Sequence, residues 1–297
     1  MPERFLVTGA LGCIGAWTCV ELVREGTAVV AYDLGDDRHR LELIASPEEL
    51  DRIVFVRGDA TDEQQIEGTL AGHEITNVVH LAALQVPFCK ADPVLGARVN
   101  VVGTANVFEA AKRHGLKTTV SYASSAAVYD ARGELSPTTH YGIYKLANEG
   151  TARIYWADDR IPSLGLRPAT VYGPGRDQGL TSTPTAAMLA AARREPYRIS
   201  FGGRTQFHYA PDVARAFISC TRRAPEGAHV VNLDGPDVHV RDFIATIETA
   251  APESAGLIEL DDVQLLFPAR LPEPTLDTPL TSLEEGVRET IEIFRAA

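Results

Sequence analysis

The sequence predicts an α/β fold, a doubly wound parallel sheet followed by a smaller C-terminal lobe. Two observations carry that expectation. Short apolar runs rich in β-branched residues alternate with longer segments of helical period, and the first run leads through a glycine loop straight into a helix. The runs are apolar throughout rather than alternating, as strands buried on both faces of a parallel sheet require.

In chain order, RFLVTG (4–9), TAVVAYD (27–33), RIVFVRGD (52–59), NVVHLAA (77–83), TTVSYASS (118–125) and PSLGLRP (162–168) read as strands. Helical stretches lie between them, clearest at 13–25, 93–114 and 141–158. After residue 170 the rhythm changes. VYGPGRDQGLTSTPT is a loop rich in Gly, Pro, Ser and Thr, and AAMLAAARR continues it as a helix. A short strand near 206–209, a helix from Pro211 and a strand HVVNLDG (229–235) return to the α/β style. A proline-rich linker over 268–279 then leads to a terminal helix, which Ser282 and Glu285 are spaced to cap.

Composition narrows the class of function. The chain has 297 residues, 45% hydrophobic and 23% charged, with a formal net charge of −12. An acidic chain without a Lys/Arg cluster argues against nucleic acid or an anionic membrane as the main partner. The four cysteines, Cys13, Cys19, Cys89 and Cys220, form no C-x-x-C pair and no zinc spacing, so no metal is expected and the thiols read as reduced. No secretory leader is recognisable, and no apolar run approaches the ~18 residues of a membrane span. The expected setting is the cytoplasm.

The glycine loop TGALGCIG places Gly9, Gly12 and Gly15, with Leu11, Cys13 and Ile14 between them, where the first strand meets the first helix. Glycines there permit a tight turn and a close approach of backbone to a pyrophosphate, and the helix offers free N–H groups. Asp33 ends the next strand, placed to accept both hydroxyls of an adenosine ribose and to repel a 2′-phosphate. The expected fold is therefore a Rossmann-type sheet and the expected cofactor is NAD; Arg38 and Arg40 are the residues that would rescue NADP. Asp59 and Ala60 end the third strand on the adenine side, and Asp62 reads equally as a helix cap. The expected division is an NAD-binding unit over 1–171, completed by about 205–234, and a substrate-binding lobe of 172–204 and 235–297.

Tyr141 and Lys145 are four residues apart, one turn on one helix face. An ammonium beside a phenol favours the phenolate and turns a group of pKa ~10 into a usable acid or base near neutrality. Ser125, at a strand's C-terminal end, can hold the same substrate oxygen. The three together read as a proton-transfer device facing a hydride acceptor. His80, behind two valines, reads as a core or loop-bonding histidine, and Cys89 as an unreactive thiol near the site opening.

These residues and their order resemble the extended short-chain dehydrogenase/reductases of the NAD-dependent epimerase/dehydratase family. The resemblance covers roughly residues 4–235 and rests on TGALGCIG, GDATD, HLAAL, VNVVGTANVFEAA, SSAAVY, YGIYK and LRPATVYGPG. By matching position it implies Ser125, Tyr141 and Lys145 as the catalytic set. It implies Leu81, Ala82, Ala83, Asn100, Ala123, Ser124, Pro168, Thr170 and Val171 as further cofactor contacts. Gln85, Ser125, Thr170, Arg176 and His208 are the expected substrate contacts. It also implies a homodimer through a four-helix contact, for which Val99, Val102, Asn106, Val107 and Ala110 supply a helix stripe.

Three departures bear on the substrate. Thr170 stands where many nucleotide-sugar enzymes of this branch carry Asn. Aligned on Asp212, TQFHYAPD puts Thr205 in place of a phosphate-binding arginine, with Arg204 displaced by one. The C-terminal lobe lacks the R-x-G-D segment. The expected function is hydride transfer between NAD and a secondary alcohol of a sugar-like or polyhydroxylated small molecule, as dehydrogenase or epimerase. A nucleotide-sugar 4-epimerase and a non-catalytic NAD-binding redox sensor are the alternatives.

Overall fold

In the computed structural model, which describes all residues except Met1, Ala224, Pro225, Glu273 and Asp277, the first strand is also the pivot of the sheet. The strands are β1 (Arg4–Thr8), β2 (Ala28–Asp33), β3 (Ile53–Arg57), β4 (Asn77–His80), β5 (Val120–Ala123), β6 (Ser163–Arg167), β7 (Thr170–Tyr172), β8 (Tyr197–Ile199), β9 (Arg204–Tyr209), β10 (Ala228–Leu233), β11 (Asp237–His239), β12 (Ile258–Leu260) and β13 (Thr275–Leu276). The main sheet runs β13-β10-β6-β5-β4-β1-β2-β3, every neighbour parallel. Strand order reverses between β1 and β4, and the crevice beyond their C-terminal ends is where open α/β sheets bind ligands.

The helices are α1 (Cys13–Arg24), α2 (His39–Ile44), α3 (Pro47–Leu50), α4 (Glu63–Gly72), α5 (Val86–Ala91), α6 (Pro93–Ala97), α7 (Gly103–His114), α8 (His140–Asp159), α9 (Thr183–Arg193), α10 (Ala210–Arg222), α11 (Val240–Ala250) and α12 (Leu283–Ala296). Phe5 and Val7 join a core with α1 and α10 on one face, while Leu6 between them joins α4 and α7 on the other. Side chains alternate across a strand, so burial on both faces explains the unbroken apolar run.

A second core lies beside the main sheet, where Tyr172, Met188, Phe207, Phe243 and Ile291 pack together, joining residues on both sides of the expected division. Its strands form a β11-β9-β7 sheet and a β12-β8 pair. The expected strand over 162–168 stops at Arg167, because Pro168 lacks the N–H that would continue it; the chain resumes as β7 beside β9. The proline-rich linker, part of which lies outside the described residues, contributes an edge strand, β13, on β10. The expected helix over 93–114 is α6 and α7 joined through a π-helical turn, Arg98–Val102. Ser282 accepts the Glu285 N–H at 3.2 Å, as its spacing predicts.

Candidate active site

A cleft of about 690 Å³ opens at the C-terminal ends of β1, β2, β4, β5 and β6. The glycine loop forms its floor. Gly9 has φ +67°, and a β-carbon there would lie 2.6 Å from the Ala82 nitrogen; one on Gly15 would lie 2.1 Å from the Gly9 carbonyl oxygen. Loop, helix and the β4 turn thus pack closer than any side chain allows. Leu11, Gly12, Cys13 and Ile14 face the cleft beside them. This narrow backbone cradle at a helix N-terminus fits a dinucleotide diphosphate.

Asp33 ends β2 on the cleft, accepting the Leu11 N–H at 2.9 Å and the Gly35 N–H at 3.2 Å. Its carboxylate keeps lone pairs for ribose hydroxyls. Asp59 and Ala60 line the same end. Asp62 caps α4 through the Gln65 N–H at 3.1 Å. Arg38 lies on the Phe55 ring, 3.6 Å from its centroid. Arg40 is held by Asp177, with its Nη2 2.7 Å from Oδ1, and by the Leu11 carbonyl at 2.8 Å. His39 also bonds Asp177, at 2.9 Å. These contacts form a strap across the cleft rim, from the α2 segment to the loop after β7.

The turn after β4 presents Leu81, Ala82, Ala83, Leu84 and Gln85 to the cleft. Thr8 Oγ1 accepts the Leu81 and Ala82 N–H groups at 3.2 and 3.3 Å, and His80 Nδ1 lies 2.7 Å from the same oxygen. His80 Nε2 lies 3.0 Å from Thr104 Oγ1, whose own proton goes to the Asn100 carbonyl at 2.8 Å. This network assigns a neutral, Nε2-protonated ring. Burial pushes the imidazole down to about 3, which agrees. His80 is the loop-bonding residue its flanking valines predict. Cys89 is fully buried, donating to the Leu84 carbonyl at 3.2 Å, and burial raises its thiol.

At the other end, β5 runs into Ser124 and Ser125. Thr139 caps α8 through the Gly142 N–H at 3.0 Å. A β-carbon on Gly142 would lie 2.1 Å from the Ala127 oxygen, so the glycine lets the start of α8 sit directly on the Ser125 turn. That contact brings Tyr141 beside Ser125, and both side chains line the cleft. Lys145 is 3% exposed; its Nζ donates to the Ala123 carbonyl at 2.7 Å and lies 5.4 Å from the Tyr141 ring centroid.

The electrostatics differ from the sequence expectation. Burial raises the Tyr141 phenol, and the opposing pulls come from the Ser125 side chain and Arg176, not Lys145. Burial also lowers Lys145 to about 8.

Three expected contacts lie elsewhere. Asn100 is buried behind the cleft; its amide clamps Leu84, accepting the N–H at 2.7 Å and donating to the carbonyl at 2.9 Å. It shapes the turn after β4 from behind. Thr170 is fully buried, its hydroxyl 3.0 Å from that of Thr205, while Pro168 and Val171 on either side line the cleft. His208 is 3% exposed, because β9 is buried from Thr205 to Tyr209; burial lowers it to about 4. Gln85, Ser125 and Arg176 do line the cleft. Arg204 is turned to Asp237, Nε to Oδ1 at 3.1 Å.

A buried ionic network beneath Ser124 escaped sequence reasoning. The Ser124 hydroxyl donates to Glu149 at 2.5 Å, and Arg167 holds both Glu149 oxygens, at 2.7 and 2.5 Å. Arg167 also reaches the Tyr129 hydroxyl, which Asn232 Nδ2 approaches at 3.0 Å. One signal was available: Tyr141, Lys145 and Glu149 repeat every four residues along α8.

With this geometry in view, comparison with known proteins is specific. The model of the NAD dependent epimerase/dehydratase family matches residues 5–233. A UDP-glucose 4-epimerase of Mycolicibacterium smegmatis is 29% identical, over 98% of each chain. A UDP-glucuronate 4-epimerase of Thermodesulfobacterium geofontis is 26% identical, over 97% of this chain and 94% of its own. Among solved structures, a partial-consensus L-threonine 3-dehydrogenase superimposes with TM-score 0.85 at 22% identity, covering 99% of this chain and all of the other. The UDP-glucose 4-epimerase of Thermus thermophilus with NAD gives 0.79 at 24% identity, with the same coverage. The glycine cradle, the acid after β2 and the match across 5–233 lead to one conclusion: this chain belongs to the NAD-dependent epimerase/dehydratase family.

Proposed function

We propose that this NAD-dependent enzyme acts on a secondary alcohol of a sugar-like or polyhydroxylated small molecule, with Tyr141 as the acid/base group. The observation that carries the reading is the meeting of Tyr141, Ser125 and Lys145 on one wall of the cleft, opposite the glycine cradle. NAD, when bound, supplies the hydride acceptor. Ser125 orients the substrate hydroxyl, Tyr141 removes its proton, and Lys145 holds positive charge beside the phenol ring. Gln85 and Arg176 contact the rest of the substrate. Family membership sets aside the non-catalytic sensor.

The substrate reading favours a compound without a nucleotide. Thr205 is buried against Thr170 and Arg204 is paired with Asp237, so neither offers charge to a diphosphate. The relatives' names favour a UDP-sugar 4-epimerase as the second reading. Absorbance at 340 nm separates the chemistries: net NADH from NAD and an alcohol marks a dehydrogenase, and product without net NADH an epimerase. A melting scan with UDP separates the substrates. Bound ligand at a hundredfold excess over Kd stabilises by about 2.7 kcal/mol. A clear rise with UDP and none with uridine would put the nucleotide-sugar reading first.

The functional unit in this proposal is a cytoplasmic homodimer. Its support is the exposed apolar surface of α8 and of the segment leading into α7, including Leu95, Val102, Ile143 and Ile154, together with four free cysteines; Val107 and Ala110 of the expected stripe are instead buried in the core. Among the described residues no helix is long and apolar enough to cross a membrane.

A further inference from the structure

Arg176 carries a charge in the cleft wall that no described residue neutralises. Among the described residues no carboxylate lies within ion-pair distance of it. Its buried Nε has no hydrogen-bond partner. Its two terminal nitrogens reach only neutral acceptors at long range, Gln85 Oε1 at 3.4 Å and Thr181 Oγ1 at 3.2 Å. A partly buried guanidinium with vacant donors is costly unless an anion completes it.

The adjacent residue sharpens the point. Asp177 could neutralise Arg176, yet it is turned to Arg40 and His39 in the strap. The other carboxylates on the cleft are Asp33 at the end of β2 and Asp37 and Asp59 in the segments after β2 and β3. Beyond these carboxylates and the strap, the charged groups on the cleft wall are Lys145 and Arg176, both cations. Gly179 keeps the arrangement open: at φ +97° it leaves a β-carbon's place 1.9 Å from Gln85 Oε1 and 3.2 Å from Arg176 Nη2. The field of Arg176 reaches both the Tyr141 phenol and the Cys13 thiol of the glycine loop, so an anion held there sits between the cradle and the reacting end.

We infer that Arg176 anchors a carboxylate of the substrate, so that the alcohol presented to Tyr141 belongs to a hydroxy acid or a sugar acid. A planar fork of N–H donors matches a carboxylate bidentately, and one arginine suffices for one carboxylate. The inference rests on the reading of Tyr141 and Ser125 as the alcohol-binding end.

The test uses the NAD-loaded protein and matched probes: gluconate against glucitol, glucuronate against glucose, and 3-hydroxybutyrate against 1,3-butanediol. Binding is read by melting shift and calorimetry in wild type, Arg176→Met and Arg176→Lys. At least one acid should bind wild type while its neutral partner does not. Arg176→Met should lose about 10- to 100-fold of that affinity, the range of a charged hydrogen bond. Arg176→Lys should recover part of it, and NAD affinity should be unchanged in both. Three results overturn the anchor: no acid of the panel binds, neutral partners bind as well as acids, or Arg176→Met weakens NAD instead. The last would assign Arg176 to the dinucleotide diphosphate. An acid that binds through Arg176 but yields neither NADH nor an epimer would keep the anchor and remove the proposed reaction. A neutral alcohol turned over equally by wild type and Arg176→Met would do the reverse.

Discussion

Along the dinucleotide half of the cleft, the wall is mostly backbone: the Gly9–Gly15 turn, the N-terminus of α1 and the Leu81–Leu84 turn, closed to distances that only glycine permits. The half proposed for the substrate is walled by side chains brought from distant segments, such as Ser125, Tyr141 and Arg176. The first half is rigid because its shape is covalent geometry plus close packing. The second half is a set of charges and hydroxyls whose state depends on their partners. Changes on the substrate half should therefore act on chemistry, changes in the buried network on stability, and changes on the cofactor half on which nucleotide binds.

The largest expected effect is Tyr141→Phe, which keeps the ring and removes the acid/base oxygen. Turnover should fall by about 10²–10⁴-fold with NAD affinity nearly unchanged. Near-wild-type turnover, measured with whichever alcohol the 340 nm screen identifies, would erase the division of labour at its centre.

Next is Glu149→Gln. It leaves the Arg167 guanidinium, with side chain 9% exposed, without its counter-charge. Removing one partner of a buried pair costs about 3–5 kcal/mol. Denaturant unfolding should show that loss, and Arg167→Met in the same chain should restore part of it. A loss within about 0.5 kcal/mol, as at an ordinary surface site, would mean the network beneath Ser124 is not a dry ionic core.

On the cofactor half, wild type should bind NAD more tightly than NADP, and Asp33→Ala should narrow that preference by about 10- to 100-fold, the range of a charged hydrogen bond. Calorimetry with both nucleotides measures it. Because Arg40 is spent on Asp177 and Arg38 lies on Phe55, neither stands ready to receive a 2′-phosphate. Equal binding of NADP by wild type would show that one of them leaves its partner.

The smallest effect concerns the strap. Hydrogen bonds to Asp177 first and Asp37 second raise the His39 pKa in the folded chain. The protonated form is thus favoured by folding. Its contribution is complete below the unfolded value of ~6.5 and is lost as pH rises through the raised folded value. NADH should leave about two- to fivefold faster at pH 9 than at pH 6, the scale of an exposed ion pair. His39→Gln should flatten that difference, which stopped-flow NADH fluorescence would read. A slope identical in wild type and variant would place the titration elsewhere, with Lys145 the next group to examine.

How far each half was legible follows the same division. Gly9, Gly15 and Asp33 announced their roles because each acts through its own backbone or through a neighbour in the same β-α-β unit. Tyr141 and Lys145 were legible because a helix fixes residues four apart on one face. Glu149, one turn further, was legible in principle, but its partners Ser124 and Arg167 come from two other strands. Thr170 and Asn100 were placed by motif position and His208 by its place in the crossover segment, and the structure turns each away from the cleft. A motif fixes where a residue stands along the chain, while packing decides which way its side chain faces.

By itself, then, the sequence determined the parallel sheet, the glycine cradle, the acid at the end of β2 and the Tyr–Lys turn of α8. In each case the cause is local: φ/ψ freedom, strand burial or helical period. Only the tertiary structure decided which charges are spent and which are free. Arg40 and Asp177 stand 137 positions apart and neutralise each other across the cleft. Arg176, adjacent to Asp177 in sequence, has no carboxylate partner among the described residues. Neighbours in sequence share a backbone, but the energy of a charge depends on distance through space and on the solvent it has lost.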